Sequence, residues 1–117
     1  MKRTTPEGLI LNACLQYLQA RGIFHWRNNT GAVQIVPGRF MRFGKKGSSD
    51  ILGVLPGGRF LAVECKTKSG RLSPEQKQFL ADVRGLGALA LVVRDWKELD
   101  LALWEAGYAK KDMPLFK

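Results

Sequence analysis

The chain has 117 residues, enough for one domain and too few for a useful second one. Forty-five per cent hydrophobic residues support a real core, which excludes a disordered basic tail. Nineteen Lys and Arg against ten Asp and Glu leave a net charge of +9, so a polyanionic partner is favoured, nucleic acid ahead of an acidic membrane surface. Cys14 and Cys65 are the only cysteines, far apart and outside any CxxC. That pattern argues against a disulfide scaffold or a cysteine-rich zinc site, and for a reducing cytoplasm. No apolar stretch approaches the ~20 residues of a membrane span, so no membrane partner is expected. The N-terminal "MKRTTPEGLILNACL" is basic and then apolar, but Glu7 and Asn12 interrupt the run and no small-residue cleavage site follows. It reads as a capped helix rather than a signal peptide.

In chain order, "TTPEGLILNACLQYLQARG" predicts a helix over about 5–21, with Thr4 or Thr5 as cap and Leu9, Ile10, Ala13, Cys14, Tyr17 and Leu18 at helical spacing. "IFHW" (23–26) is a strand candidate. Residues 27–47 are rich in Gly, Asn and basic side chains; within them "VQIV" can form a strand, and "RFMRF" sets Arg39, Met41 and Phe43 in alternation with Phe40 and Arg42. "ILGVL", the turn "PGG" and "RFLAVECKT" form a hairpin. A helix follows, opened by the capping box Ser73-x-x-Gln76 with Pro74 at its first position. "ALALVV" (88–93) reads as a strand covered on both faces, and "DWKELDLALWEAG" as a helix opened by a box, Asp95-x-x-Glu98. The tail from Ala109 is expected to be poorly ordered or an oligomer contact. One domain over 1–117, with a mixed sheet flanked by helices, follows from this order.

Charges inside the central hairpin need explaining. With its turn at Gly57, Asp50 lies seven residues before and Glu64 seven after, so an antiparallel pairing sets them face to face. Asp50, Leu52 and Val54 then share one sheet face with Phe60, Ala62, Glu64 and Lys66. Two carboxylates that close repel each other, and burying either one unpaired is costly. A hard divalent cation such as Mg²⁺ resolves both problems, and Lys66 can hold a water or neutralise a phosphate. The plainer alternative is a strand-end cap at Asp50 and a solvated Glu64–Lys66 pair.

Asp50, Glu64-Cys65-Lys66 and an N-terminal helix bearing Glu7 resemble the PD-(D/E)XK nuclease superfamily. The short chain and "LSPEQ" before a helix resemble its stand-alone VRR-NUC endonucleases, over roughly residues 6–107. The resemblance implies an α/β fold with a restriction-endonuclease-like αβββαβ core. It also implies Mg²⁺- or Mn²⁺-dependent phosphodiester hydrolysis on branched DNA such as four-way (Holliday) junctions, by a homodimer in a prokaryotic or phage-infected cell. By position, Asp50, Glu64 and Glu7 would be metal ligands, Lys66 the catalytic lysine and Gln76 a supporting residue. Ser49 stands where the family motif has proline. Glu7 is equally explained by the helix dipole or a Thr4-x-x-Glu7 box, and Gln76 by its own capping box.

The candidate DNA surface is the basic segment: Arg27, Asn28 and Asn29, then Arg39, Arg42, Lys45 and Lys46, extended by Lys68 and Arg71 beyond the hairpin. A solvated loop is the alternative. Phe40 and Phe43 are expected in the core or a dimer contact, and Trp26, Trp96 and Trp104 in the core. His25 alone cannot make a His-rich metal site, and "GGRF" lacks the P-loop lysine and serine. A non-catalytic nucleic-acid-binding module and a sequence-specific restriction enzyme remain as rival readings, the latter with no room for a recognition domain.

Overall fold

The structure, a computed structural model, describes residues 4–109. Thr5 caps the first helix by accepting the Gly8 amide at 2.9 Å, with Pro6 at the first helical position, so α1 runs Pro6–Ala20. Its buried stripe is Leu11, Cys14, Tyr17 and Leu18, at the three- and four-residue spacing of one helix face. Six strands and two further helices follow: β1 (Phe24–Arg27), β2 (Gly31–Val36), β3 (Arg39–Phe43), β4 (Ile51–Val54), β5 (Phe60–Cys65), α2 (Pro74–Gly85), β6 (Leu89–Val93) and α3 (Trp96–Glu105).

The main sheet has the order β1-β4-β5-β6, with β1, β4 and β5 antiparallel and β6 parallel to β5 across the α2 connection. It is the mixed sheet of a restriction-endonuclease-like αβββαβ core, formed by α1, β1, β4, β5, α2 and β6. Alternation splits its side chains between two layers. Ile51, Leu61, Val63, Cys65 and Val93 pack with α1 and α3, whereas Ala62 and Ala90 pack with Phe79 and Leu80 of α2. Tyr17 and Arg21 fasten the two helices of the first layer, both bonding Asp100 Oδ1, at 2.6 and 3.2 Å. Both cysteines are free thiols buried in that layer. Among the described residues no helix is long and apolar enough to cross a membrane.

β2 and β3 form a separate two-stranded sheet inserted between β1 and β4, with every residue from Ala32 to Phe43 exposed. Val33 pairs with Met41 and Gly31 with Phe43, and a bulge lies between Gln34 and Val36. The alternation of "RFMRF" is thus that of a strand. Phe40 and Phe43 are not core residues, because neither helical layer reaches this hairpin. Trp26 and Trp104 are also exposed, at 43% and 40%, whereas Trp96 packs against the core, its ring centroid 5.7 Å from that of Tyr17.

The helix starts need two adjustments. Ser73 and Gln76 form the predicted capping box of α2. At α3, Asp95 caps through the Lys97 amide, but Glu98 Oε1 accepts from Arg94 N rather than from the cap residue, so no reciprocal box forms. At α1 the cap is Thr5, which leaves Glu7 outside any box. Ala109 is buried against the core, and the rest of the tail, 110–117, lies outside the described residues.

Candidate active site

β4 and β5 are joined through Gly57 and Gly58, both with φ near +90°, a conformation that glycine adopts without strain. Val54 pairs with Phe60 and Ile51 with Val63, so one further step sets Asp50 opposite Glu64, in the register expected from the symmetric count about Gly57. Asp50 Oδ2 accepts the Cys65 amide at 2.8 Å, which ties the acid across the mouth of the hairpin.

Glu64 is 1% exposed and Lys66 8%. Glu64 Oε2 lies 3.7 Å from Lys66 Nζ and accepts from Gln76 Nε2 at 3.3 Å. The same Gln76 side chain closes the capping box, its Oε1 accepting the Ser73 amide at 2.8 Å. Glu64 Oε1 is buried with no hydrogen-bond partner. Such an atom forfeits about 1–3 kcal/mol of hydration unless something else binds it. Burial, then the facing Asp50 carboxylate, push the Glu64 carboxyl up to about 8; Lys66 opposes the shift, and the Glu7 carboxylate adds to it. Glu7 is half-buried on the first turn of α1, and its charge reaches the site from there.

The approach to Asp50 is held by Asn28. Its backbone amide donates to Asp50 O at 2.8 Å, and its Nδ2 donates to Ser49 O at 2.9 Å and Ser48 Oγ at 2.6 Å. Asn28, read from sequence as a donor to DNA, spends its side-chain donor on the chain itself. Together these bonds staple the backbone that leads into β4. Ser49 beneath it is fully buried, and its Oγ has no partner. The preceding loop sits against the start of α2: a Cβ on Gly47 would come within 2.5 Å of the Glu75 backbone, and Lys46 Nζ lies 3.1 Å from Glu75 Oε1.

Beyond Lys66 the chain is held by Arg94, whose Nη1 donates to Thr67 O, and to Gly70 O at 2.9 Å. Lys66 N donates to Val93 O, which extends the β5–β6 pairing by one residue. The sequence reading missed Arg94. Continuing the parallel register Cys65–Val93 would have brought it beside Lys66. Arg27, Asn29, Arg39, Arg42, Lys45, Lys46, Lys68 and Arg71 are all exposed.

Oxygen donors suit a hard cation, and the orphaned Glu64 Oε1 beside Asp50 is an observation that such an ion would explain. Among the described residues no three His, Cys, Asp or Glu side chains are grouped so as to hold a metal, so water and phosphate oxygens would complete the coordination. No curated protein and no solved structure matches the chain. The model of the VRR-NUC domain matches residues 5–96, a span that takes in Glu7, Asp50, Glu64, Lys66 and Gln76. With that span matched and the αβββαβ core beneath it, the chain belongs to the VRR-NUC family of nuclease domains.

Proposed function

We propose that the protein is an Mg²⁺-dependent DNA endonuclease, with Mn²⁺ able to substitute, selective for branched DNA such as four-way junctions and acting as a homodimer. The observation that carries this reading is a buried carboxylate with one unsatisfied oxygen, facing a second carboxylate and a buried lysine. Asp50 and Glu64 would hold the metal, with the Glu7 carboxylate adding negative charge from α1 rather than a third ligand. When bound, the cation supplies charge neutralisation for the two acids and polarisation of a phosphate oxygen.

The chain's own residues carry the rest. Gln76 orients Glu64 through the bond to Oε2. Asn28 fixes the backbone that presents Asp50. Lys66 lies against Glu64 and can direct its ammonium at the scissile phosphate as negative charge builds there. In hydrolysis the oxygen of water bonds to phosphorus, the ester P–O bond breaks, and the leaving alkoxide takes up a proton. Arg27, Asn29, Arg39, Arg42, Lys45, Lys46, Lys68 and Arg71 would grip backbone phosphates without reading sequence. A chain this short covers little DNA, so a symmetric pair would bring two sites to two strands.

The test is incubation with duplex, flap and four-way-junction DNA, with Mg²⁺ and with EDTA. Nicking that needs the metal and disappears in Asp50→Ala is the expected result. Salt-sensitive binding that never leads to cleavage with Mg²⁺ or Mn²⁺ would mean a non-catalytic nucleic-acid-binding module on the same fold.

A further inference from the structure

Two aromatic side chains beside the site have no role in the chemistry above. Phe24 and Trp26 of β1 are 68% and 43% exposed, with ring centroids 6.0 Å apart in an edge-to-face arrangement. The sheet register fixes where they stand. Trp26 pairs directly with Leu52, and Phe24 with Val54, so both rings project from the face that carries Asp50 and Glu64. On that face α2 covers Leu52 and Phe60, and the aromatic pair is left open on the outermost strand.

From this placement we infer that Phe24 and Trp26 form a stacking platform for an unpaired base next to the scissile phosphate, resting on the nuclease reading of the adjoining carboxylates. Asp50 lies two residues from Leu52, roughly 6.6 Å along the strand direction, and Trp26 stands one strand, roughly 4.8 Å, to the side. The ring is thus about 8 Å from the acid, within reach of a nucleotide next to a phosphate held there. Charge favours nucleic acid over a second copy of the chain. Residues 21–47, which surround the pair in sequence, hold no acid and present Arg27, Arg39, Arg42 and Lys45 to solvent, so two copies at +9 each would repel there. Base faces are the apolar part of DNA. They are hidden in an uninterrupted duplex and open at a branch, flap or gap. An aromatic platform at this position therefore gains only from DNA with an unstacked base, which supplies structure selectivity without sequence readout.

The experiment measures binding of a flap or gapped DNA and of the matching continuous duplex in Ca²⁺, with 2-aminopurine at the unpaired position. For the wild type, binding should change the 2-aminopurine fluorescence as the base restacks on protein. Trp26→Ala should lower the ratio of unpaired-DNA to duplex affinity about tenfold, the scale of one lost base–aromatic stack. Trp26→Phe should restore most of that ratio. Equal losses on both DNAs, or an unchanged fluorescence, would overturn the platform. So would sedimentation showing that Trp26→Ala turns a dimer into a monomer, since the pair would then be a chain–chain contact. Cleavage of the same DNAs in Mg²⁺ separates this idea from the one beneath it. An altered ratio without cleavage keeps the platform and ends the nuclease reading; cleavage with an unaltered ratio does the reverse.

Discussion

Both β4–β5 and β2–β3 are antiparallel hairpins turned through positive-φ glycines, yet they break the inside–outside rule in opposite directions. The first buries Glu64 and Lys66, while the second leaves Phe40 and Met41 66% and 56% exposed. Residue type alone does not decide burial here. Helices cover both faces of β5, and neither helical layer packs on β2–β3. Burying a charge is costly unless it is paired, and showing apolar surface to water is costly unless something covers it. The two hairpins thus depart from the rule by different chemistry: buried charge in the first, exposed apolar surface in the second.

The contrast breaks most sharply at the buried pair, Glu64 and Lys66, in their proposed catalytic roles. Glu64→Ala and Lys66→Ala should each reduce single-turnover cleavage on the order of a thousandfold, the effect of losing charge stabilisation at a reacting phosphate. Comparable loss of DNA binding instead would move both residues to the binding surface. Stability should divide along the same line. Leu61→Ala, beneath the site, should cost about 2–5 kcal/mol in urea unfolding. Met41→Ala on the exposed hairpin should stay within about 0.5 kcal/mol, and a larger cost would show that the hairpin is packed in solution.

Supporting residues should give intermediate effects. Asn28→Ala should slow cleavage about tenfold, the lower end for residues that orient a site through its ligands. Adding Ser49→Pro should recover part of that rate by stiffening the same backbone and removing the partnerless hydroxyl. If Asn28→Ala weakened DNA binding alone, its place would be the phosphate surface and not the staple.

Proton linkage gives a gentler test. Glu64 titrates near 8 when folded, against an ordinary value of 4.5, so between those values the folded state holds a proton that the unfolded chain has lost. Metal-free stability should therefore fall as pH rises through that window and level off above it. Metal binding must displace the proton, so affinity for Mn²⁺ should rise by up to about tenfold per pH unit toward pH 8 and then flatten. Glu64→Gln should remove the stability trend, which thermal melts across pH 5–9 would read.

Much of the fold was legible because local rules agree with the outcome. The Ser73 box starts α2, Pro6 starts α1, and the count about Gly57 gives the hairpin register. The Asp50–Glu64–Lys66 face followed from strand alternation. What escaped the sequence was non-local. The Asn28 staple joins residues 20 and 21 positions apart, and Arg94 reaches carbonyls 24 and 27 positions away. No short-range pattern encodes such contacts. Exposure of Trp26 and Phe40 was misjudged for a related reason, since it depends on which strands the helical layers reach.

The proposed function stands or falls with a divalent-cation site among the charges at the mouth of β4–β5. Titration of Mn²⁺ into the protein, followed by electron paramagnetic resonance, tests this without any DNA. Binding should be lost in Glu64→Ala and kept in the surface variant Arg39→Ala. Undiminished Mn²⁺ binding by folded Glu64→Ala would contradict such a site.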